Sequence, residues 1–296
     1  YAYSVLPAVP NKKIIKWSLR PLKPSFNFMM AIAFTNSTWI FFSQTDKLLL
    51  SNLLSLTDYG FFMLAVLVAN SVMILSSPIA NVLLPRLSKL HAQNDDEGLI
   101  SLYRESTQLV AVIGIPLTLT LAFFSKEILW SWTGNFELAE KASIVLALYS
   151  LGNFVMAIGA FPYYLQFAKG DLKLHVIGSG MFVSIMLPMV YWAANNYGIV
   201  GPGYVWLGIH LLSFFIWQPF IHRRFFKSLH IKWLFDLFPI ISIPSFFILF
   251  INSIIVWPEE RVLIIFTIIS LFLLLLTISA LSSSAARTII YKMIKP

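Results

Sequence analysis

The sequence predicts an all-α, polytopic transmembrane bundle of about eight spans. Three observations carry this. First, 58% of the 296 residues are hydrophobic and only 11% are charged, against roughly 45–50% and 25% in soluble domains. Second, apolar runs of roughly twenty residues, the length a helix needs to cross a hydrocarbon core, recur from end to end. Third, Lys and Arg concentrate in alternate connections between those runs, as the positive-inside rule requires of a multi-pass protein.

The spans are read at about 26–45, 59–84, 107–125, 143–165, 174–194, 203–220, 234–256 and 262–281. Residues 1–24 form a basic linker with the end of a preceding helix, residues 25–220 a six-helix bundle, and residues 221–296 two trailing helices and a tail. The opening YAYSVLPAVPNKKIIKW has no methionine and no signal-peptide layout, so the chain is expected to lack an N-terminal part. Of 21 Lys and Arg, 17 fall in the linker, the tail and alternate loops. The rule then places both ends of this segment in the cytoplasm. Tryptophan agrees, with Trp130, Trp132, Trp192, Trp206 and Trp257 near one boundary and Trp17, Trp217 and Trp233 near the other.

Taken in order, the spans carry polar rows at helical spacing. In the first, Asn36, Ser43, Lys47 and Ser51 share a stripe, with Asp46 on its shoulder. The acid and base either mark the exit of the span or lie inside a helix continued by LLLSNLL. Inside, a lone charge costs about 2.5–3.5 kcal/mol on insertion scales and needs a partner or water. In the second, Asn70, Ser77 and Asn81 align, and the exit LLPRLSKL sets Arg86 and Lys89 three residues apart. The acidic run NDDEG reads as a solvated turn. The third span joins Thr107, Gly114 and Thr118, and the fourth joins Asn153, Ala157, Ala160 and Tyr164. Between them the connection Lys126 to Ala142 reads as an interfacial amphipathic turn with a Gly-Asn bend. His210 in the sixth span reads as a buried hydrogen-bonding residue. Pro78, Pro116, Pro162, Pro188, Pro239 and Pro244 are expected to kink their helices.

Polar side chains inside hydrocarbon face another helix or water. A single row is explained as well by helix–helix bonding as by a cavity. Four rows in four successive spans favour a shared hydrated cavity, with Asn36, Asp46, Lys47, Asn70, Ser77, Asn81 and Asn153 along a substrate or coupling-ion pathway. Arg86, Lys89 and Arg104, on one side of the membrane, are candidates to attract a phosphate headgroup, or else ordinary positive-inside anchors. The net charge of +8 belongs to this topology, so no nucleic-acid partner is inferred. Cysteine is absent and the five histidines are scattered, leaving metal chemistry unsupported. No cofactor motif, glycine-rich phosphate loop, nucleophile elbow or zincin pair occurs, and no enzyme is expected.

The stretch QTDKLLLSNLLSLTDYGFFMLAVLVANSVMILSSPIANVLLPRLSKL, Gln44 to Leu90, resembles the bacterial polysaccharide (O-antigen type) flippases of the multidrug/oligosaccharidyl-lipid/polysaccharide exporter superfamily. Asp46, Lys47, Tyr59, Gly60, Pro78, Pro85, Arg86 and Ser88 carry the resemblance, and Leu102 to Gly134 continues it. The likeness covers about residues 12–170. It implies a second bundle of a two-bundle exporter, partnered by a missing N-terminal bundle, membrane lipids and other polysaccharide assembly proteins. It further implies flipping of an undecaprenyl-diphosphate-linked oligosaccharide across the bacterial inner membrane, for O-antigen, lipopolysaccharide or capsule synthesis. The competing readings are a drug or cation-coupled exporter, a membrane-embedded polymerase or glycosyltransferase, and a non-transporting scaffold subunit.

Overall fold

The computed structural model describes residues 23–294. The expected linker lies outside the described residues except for its last two positions, as do the side chains of Ser43 and Ser77. Helices make up the chain, with no strand among the described residues.

The first helix, α1 (Lys23–Leu53), runs unbroken through LLLSNLL, so Asp46 and Lys47 lie inside it. Ser55 caps α2 (Leu56–Ala69) by accepting from the Asp58 N–H at 3.1 Å. That helix passes at Asn70 into α3 (Ser71–Ala92), which holds Pro78 and Pro85. Asp95 caps α4 (Asp96–Phe123), its Oδ1 accepting from Gly98 N–H at 2.8 Å. A short α5 (Ser125–Thr133) stops at Gly134, whose φ of +68° suits glycine. There Arg261 donates to the carbonyls of Ser131 and Trp132, both at 3.0 Å, satisfying helix-end acceptors. Asn135 then caps α6 (Phe136–Gly159), accepting from Leu138 N–H at 3.0 Å. Pro162 falls in the first turn of a new helix, α7 (Phe161–Ala168), where its missing N–H costs nothing.

Two helices predicted separately, α8 (Lys173–Tyr197) and α9 (Gly201–Leu212), close into a hairpin through a 3₁₀ turn at Gly198–Val200. A Cβ on Gly201 would collide with the carbonyl of Ala193, so glycine sets how close the hairpin packs. Next comes a π-helical turn, Ser213–Trp217, before α10 (Gln218–Phe225). Pro219 explains it: the ring clashes with the carbonyl four residues back, and the widened turn relieves that clash. The chain ends with α11 (Leu229–Ile254), α12 (Arg261–Ser282) and α13 (Ser284–Ile294).

Six stretches are long and apolar enough to cross a membrane: Leu56–Ile74, Asp96–Phe123, Phe136–Ala168, Lys173–Phe225, Leu229–Ile254 and Arg261–Ser282. The count of eight differs because the α8–α10 hairpin forms one stretch and α1 falls outside the six. The protein is a multi-pass helical membrane protein. At its centre are α4, 72% buried over its apolar window, and α6; α12 is peripheral at 17%. Around α4 pack α3, α6, α11 and α12; α2, α5 and α9 pack on α6, and α1 lies along α8. Lipid tails are as apolar as leucine, so close packing and interhelical hydrogen bonds hold these helices together.

Candidate functional site

Two distinct polar features interrupt the apolar bundle. One is a dry network around α6. Asp46 on α1, 2% exposed, accepts from the Tyr149 hydroxyl at 2.5 Å and from the Lys47 N–H at 2.8 Å. The Tyr149 ring stacks on Trp206 of α9, at 5.5 Å between centroids and 15° between planes, and meets the edge of Phe62 of α2. Trp206 in turn donates its indole N–H to Asn153 Oδ1 at 3.0 Å. The amide nitrogen of Asn153 donates to the Ala69 carbonyl at 3.0 Å and to Asn70 Oδ1 at 3.3 Å. Four helical segments are thereby tied through three side chains of α6 and α9. Gly152 makes the approach feasible, since a Cβ there would collide with the Trp206 ring.

The other feature is an open-sided cavity of about 440 Å³ bordered by α1, the α6–α7 break, α8 and the α9–π–α10 segment. Its polar lining includes Asn36, Tyr163, Tyr164, His175 and Gln218, with the Trp217 ring beside them. The π turn brings Ser213 and Trp217 to its wall, and Gly178 leaves room for the Trp217 ring, which a Cβ would strike. No Lys, Arg, Asp or Glu lines it among the described residues.

The predicted convergence of four polar rows on one cavity is therefore corrected. The rows divide. Asn36 reaches the cavity, and so do Ala160 and Tyr164 from the fourth span. Asn153, only 1% exposed, is sealed between helices with Asn70. In the third span Thr107 bonds back to the Tyr103 carbonyl at 2.7 Å, and Gly114 abuts Phe154. Asn81 is exposed on α3, away from the cavity lining. Lys47 donates to Gln44 at 3.1 Å along its own helix.

The basic candidates also separate. Arg86 and Lys89 are exposed on α3, whereas Arg104 forks onto Asp236 of α11 with bonds of 2.6 and 2.8 Å. Its guanidinium is thus committed to joining α4 and α11, which corrects its assignment as a free anion-attracting group. Near the same end, Lys169 pairs with Asp96 at 2.8 Å and Arg224 with Asp171 at 2.6 Å. The NDDEG turn is therefore clasped as well as solvated. Among the described residues no group of His, Cys, Asp or Glu can hold a metal.

Residues 3–135 match the family described as polysaccharide biosynthesis protein. The match spans α1 to α5 and supports the polysaccharide flippase resemblance carried by Gln44 to Leu90. No curated protein and no solved structure matches the chain. The cavity lies largely beyond the matched segment, on α6 to α10. The sequence places Trp217 at a membrane boundary, whereas its ring lines the cavity, and it singles out nothing at Gln218. The signal available was SFFIWQPF, an amide in an apolar run just before a proline.

Proposed function

We propose that the protein is part of a carrier that passes a lipid-linked oligosaccharide across a bacterial inner membrane, and that it makes and breaks no covalent bond. The carrying observation is a cavity inside a multi-pass bundle, lined by hydroxyl, amide and aromatic side chains among apolar ones, in a chain whose first part matches a polysaccharide biosynthesis family. A glycan needs a path that replaces its water hydrogen bonds, while its lipid tail stays in the bilayer. Hydroxyl, amide and indole groups meet that need; side chains that pack all round do not. In this reading the ends rich in Lys and Arg face the cytoplasm. Arg86 and Lys89, exposed on α3, attract the diphosphate there.

Deleting the full gene in its host and assaying lipid-linked sugars on each face of the inner membrane tests the proposal. Complete repeat units held on the cytoplasmic face are expected. Single complete units accumulating on the outer face indicate a polymerase instead, and truncated units a glycosyltransferase.

A further inference from the structure

We infer that α13 is an in-plane helix lying on the Lys- and Arg-rich face of the membrane, its apolar side in the headgroup boundary and its Arg287 and Lys292 on the phosphates of anionic phospholipids. The inference is independent of what the protein carries.

Length brings the helix to the membrane surface. The preceding α12 has 22 residues, about 33 Å at 1.5 Å per residue, and so crosses a hydrocarbon core of roughly 30 Å without help. Ser283 then breaks it with extended backbone, φ −91° and ψ 127°. The Ser283 hydroxyl caps α13 by accepting from the Ala286 N–H at 3.2 Å, and donates to Gln108 of α4 at 3.0 Å. The first turn is thereby pinned to the bundle, with Ala285 and Ala286 buried. From Arg287 to Lys292 every residue is exposed.

That exposed part has two unlike sides. At about 100° per residue, Ala285, Ala286, Ile289 and Ile290 fall within a sector of about 140°. The bundle covers only its beginning, leaving Ile289 and Ile290 40% and 41% exposed. Lys292 lies about 20° beyond one edge of the sector and Arg287 about 60° beyond the other, with Ser284, Thr288 and Tyr291 between them on the far side. Cations along both margins of an apolar stripe are what a helix half sunk in a headgroup layer needs, because each stem follows the apolar side while its charge reaches a phosphate. A helix standing in water leaves both isoleucines wetted, and one covered by protein has no need of a cation on each margin. Among the described residues no carboxylate pairs with Arg287 or Lys292, and no Asp or Glu follows Glu260. The anions that meet them come from outside this part of the chain, and the negative surface of the cytoplasmic leaflet supplies them.

The chain contains no cysteine, so single labels test the placement. In the full gene product, with any cysteine elsewhere replaced by serine, Ile290→Cys or Thr288→Cys is labelled with an environment-sensitive fluorophore. The protein is reconstituted into vesicles of equal parts phosphatidylcholine and phosphatidylglycerol, in which one lipid or the other carries a nitroxide on its tails. The label at position 290 is expected to be quenched by the lipid nitroxides and shielded from aqueous iodide, and the label at 288 the reverse. Labelled phosphatidylglycerol is expected to quench at 290 several-fold more than labelled phosphatidylcholine. Adding Arg287→Gln and Lys292→Gln is expected to abolish that difference.

Iodide quenching at 290 equal to that at 288 puts the helix in water and overturns the inference. A 290 label reached by neither iodide nor lipid is covered by protein, the missing bundle or a second copy, and overturns it equally. Lipid quenching at both positions makes α13 part of a membrane crossing instead of a surface helix. Equal quenching by the two lipids in the parent protein overturns the role of Arg287 and Lys292 in holding anionic headgroups.

Discussion

Asp46 shows how one residue's surroundings decide its meaning. A carboxyl group in an apolar helix needs donors, and here the Tyr149 hydroxyl and the Lys47 N–H supply them. Tyr149→Phe removes the stronger donor and is expected to destabilise the protein by about 1–3 kcal/mol. Asp46→Asn keeps an acceptor for Tyr149 and is expected to cost less; thermal melting in detergent compares the two, and the reverse order contradicts the assignment. Asn153 is more heavily bonded, receiving from Trp206 and donating to Ala69 and Asn70. Asn153→Leu strands several buried polar groups at once. It is expected to lower stability by more than about 2 kcal/mol, and a melting temperature equal to that of the parent protein contradicts the dry-network reading.

At the scale of elements, the α8–α9 hairpin depends on a backbone contact. A Cβ on Gly201 meets the Ala193 carbonyl, a neighbour that cannot swing aside as a side chain does. Gly201→Ala is expected to destabilise by about 1–3 kcal/mol, whereas Gly170→Ala, with open space around it, is strained only by its φ of +69°. Comparing the melting of the two separates collision from dihedral strain. The connection between α7 and α8 carries a pH-sensitive clasp. Burial pushes the Asp171 carboxyl up, but the Arg224 guanidinium and the Lys173 N–H pull it further down, to a net value below its ordinary range. A lowered carboxylate stabilises the fold at pH above its unfolded value, and that contribution is lost as pH falls through the folded one. The pair is partly exposed, so the effect is at most about 1 kcal/mol. Melting followed from about pH 5 to pH 3 is expected to fall less steeply in Arg224→Ala than in the parent.

For the molecule as a whole, the Arg104–Asp236 fork joins the trailing α11–α12 pair to the central α4 across 132 residues of chain. Gln108 adds a second tie, its Oε1 accepting from Ser283, Ser284 and the Ala285 N–H at 3.0–3.1 Å where α13 begins. Arg104→Ala leaves the Asp236 carboxylate unpaired, and loosening of α11 is expected, read as faster protease cleavage between α10 and α11. Exchanging the two residues, Arg104→Asp with Asp236→Arg, is expected to restore resistance. Failure of the exchange to rescue would show that the fork is incidental to the packing.

Composition and hydrophobic run length determined that the chain is a helical membrane protein, because burying backbone polar groups in lipid admits few structures other than helices. The motif from Asp46 to Ser88 was enough to indicate the polysaccharide family. Spacing along a helix also showed which side chains share a face. It did not show what that face meets, since each helix can rotate against its neighbours without changing its own periodicity. Only the tertiary structure sealed Asn153 against Trp206 while leaving Asn36 on the cavity. Arg104 met a carboxylate that lies far along the chain, so nothing local could announce the pair. The π turn before Pro219 shifted the register of α10 and brought Gln218 to the cavity wall, a position that regular 3.6-residue spacing does not predict.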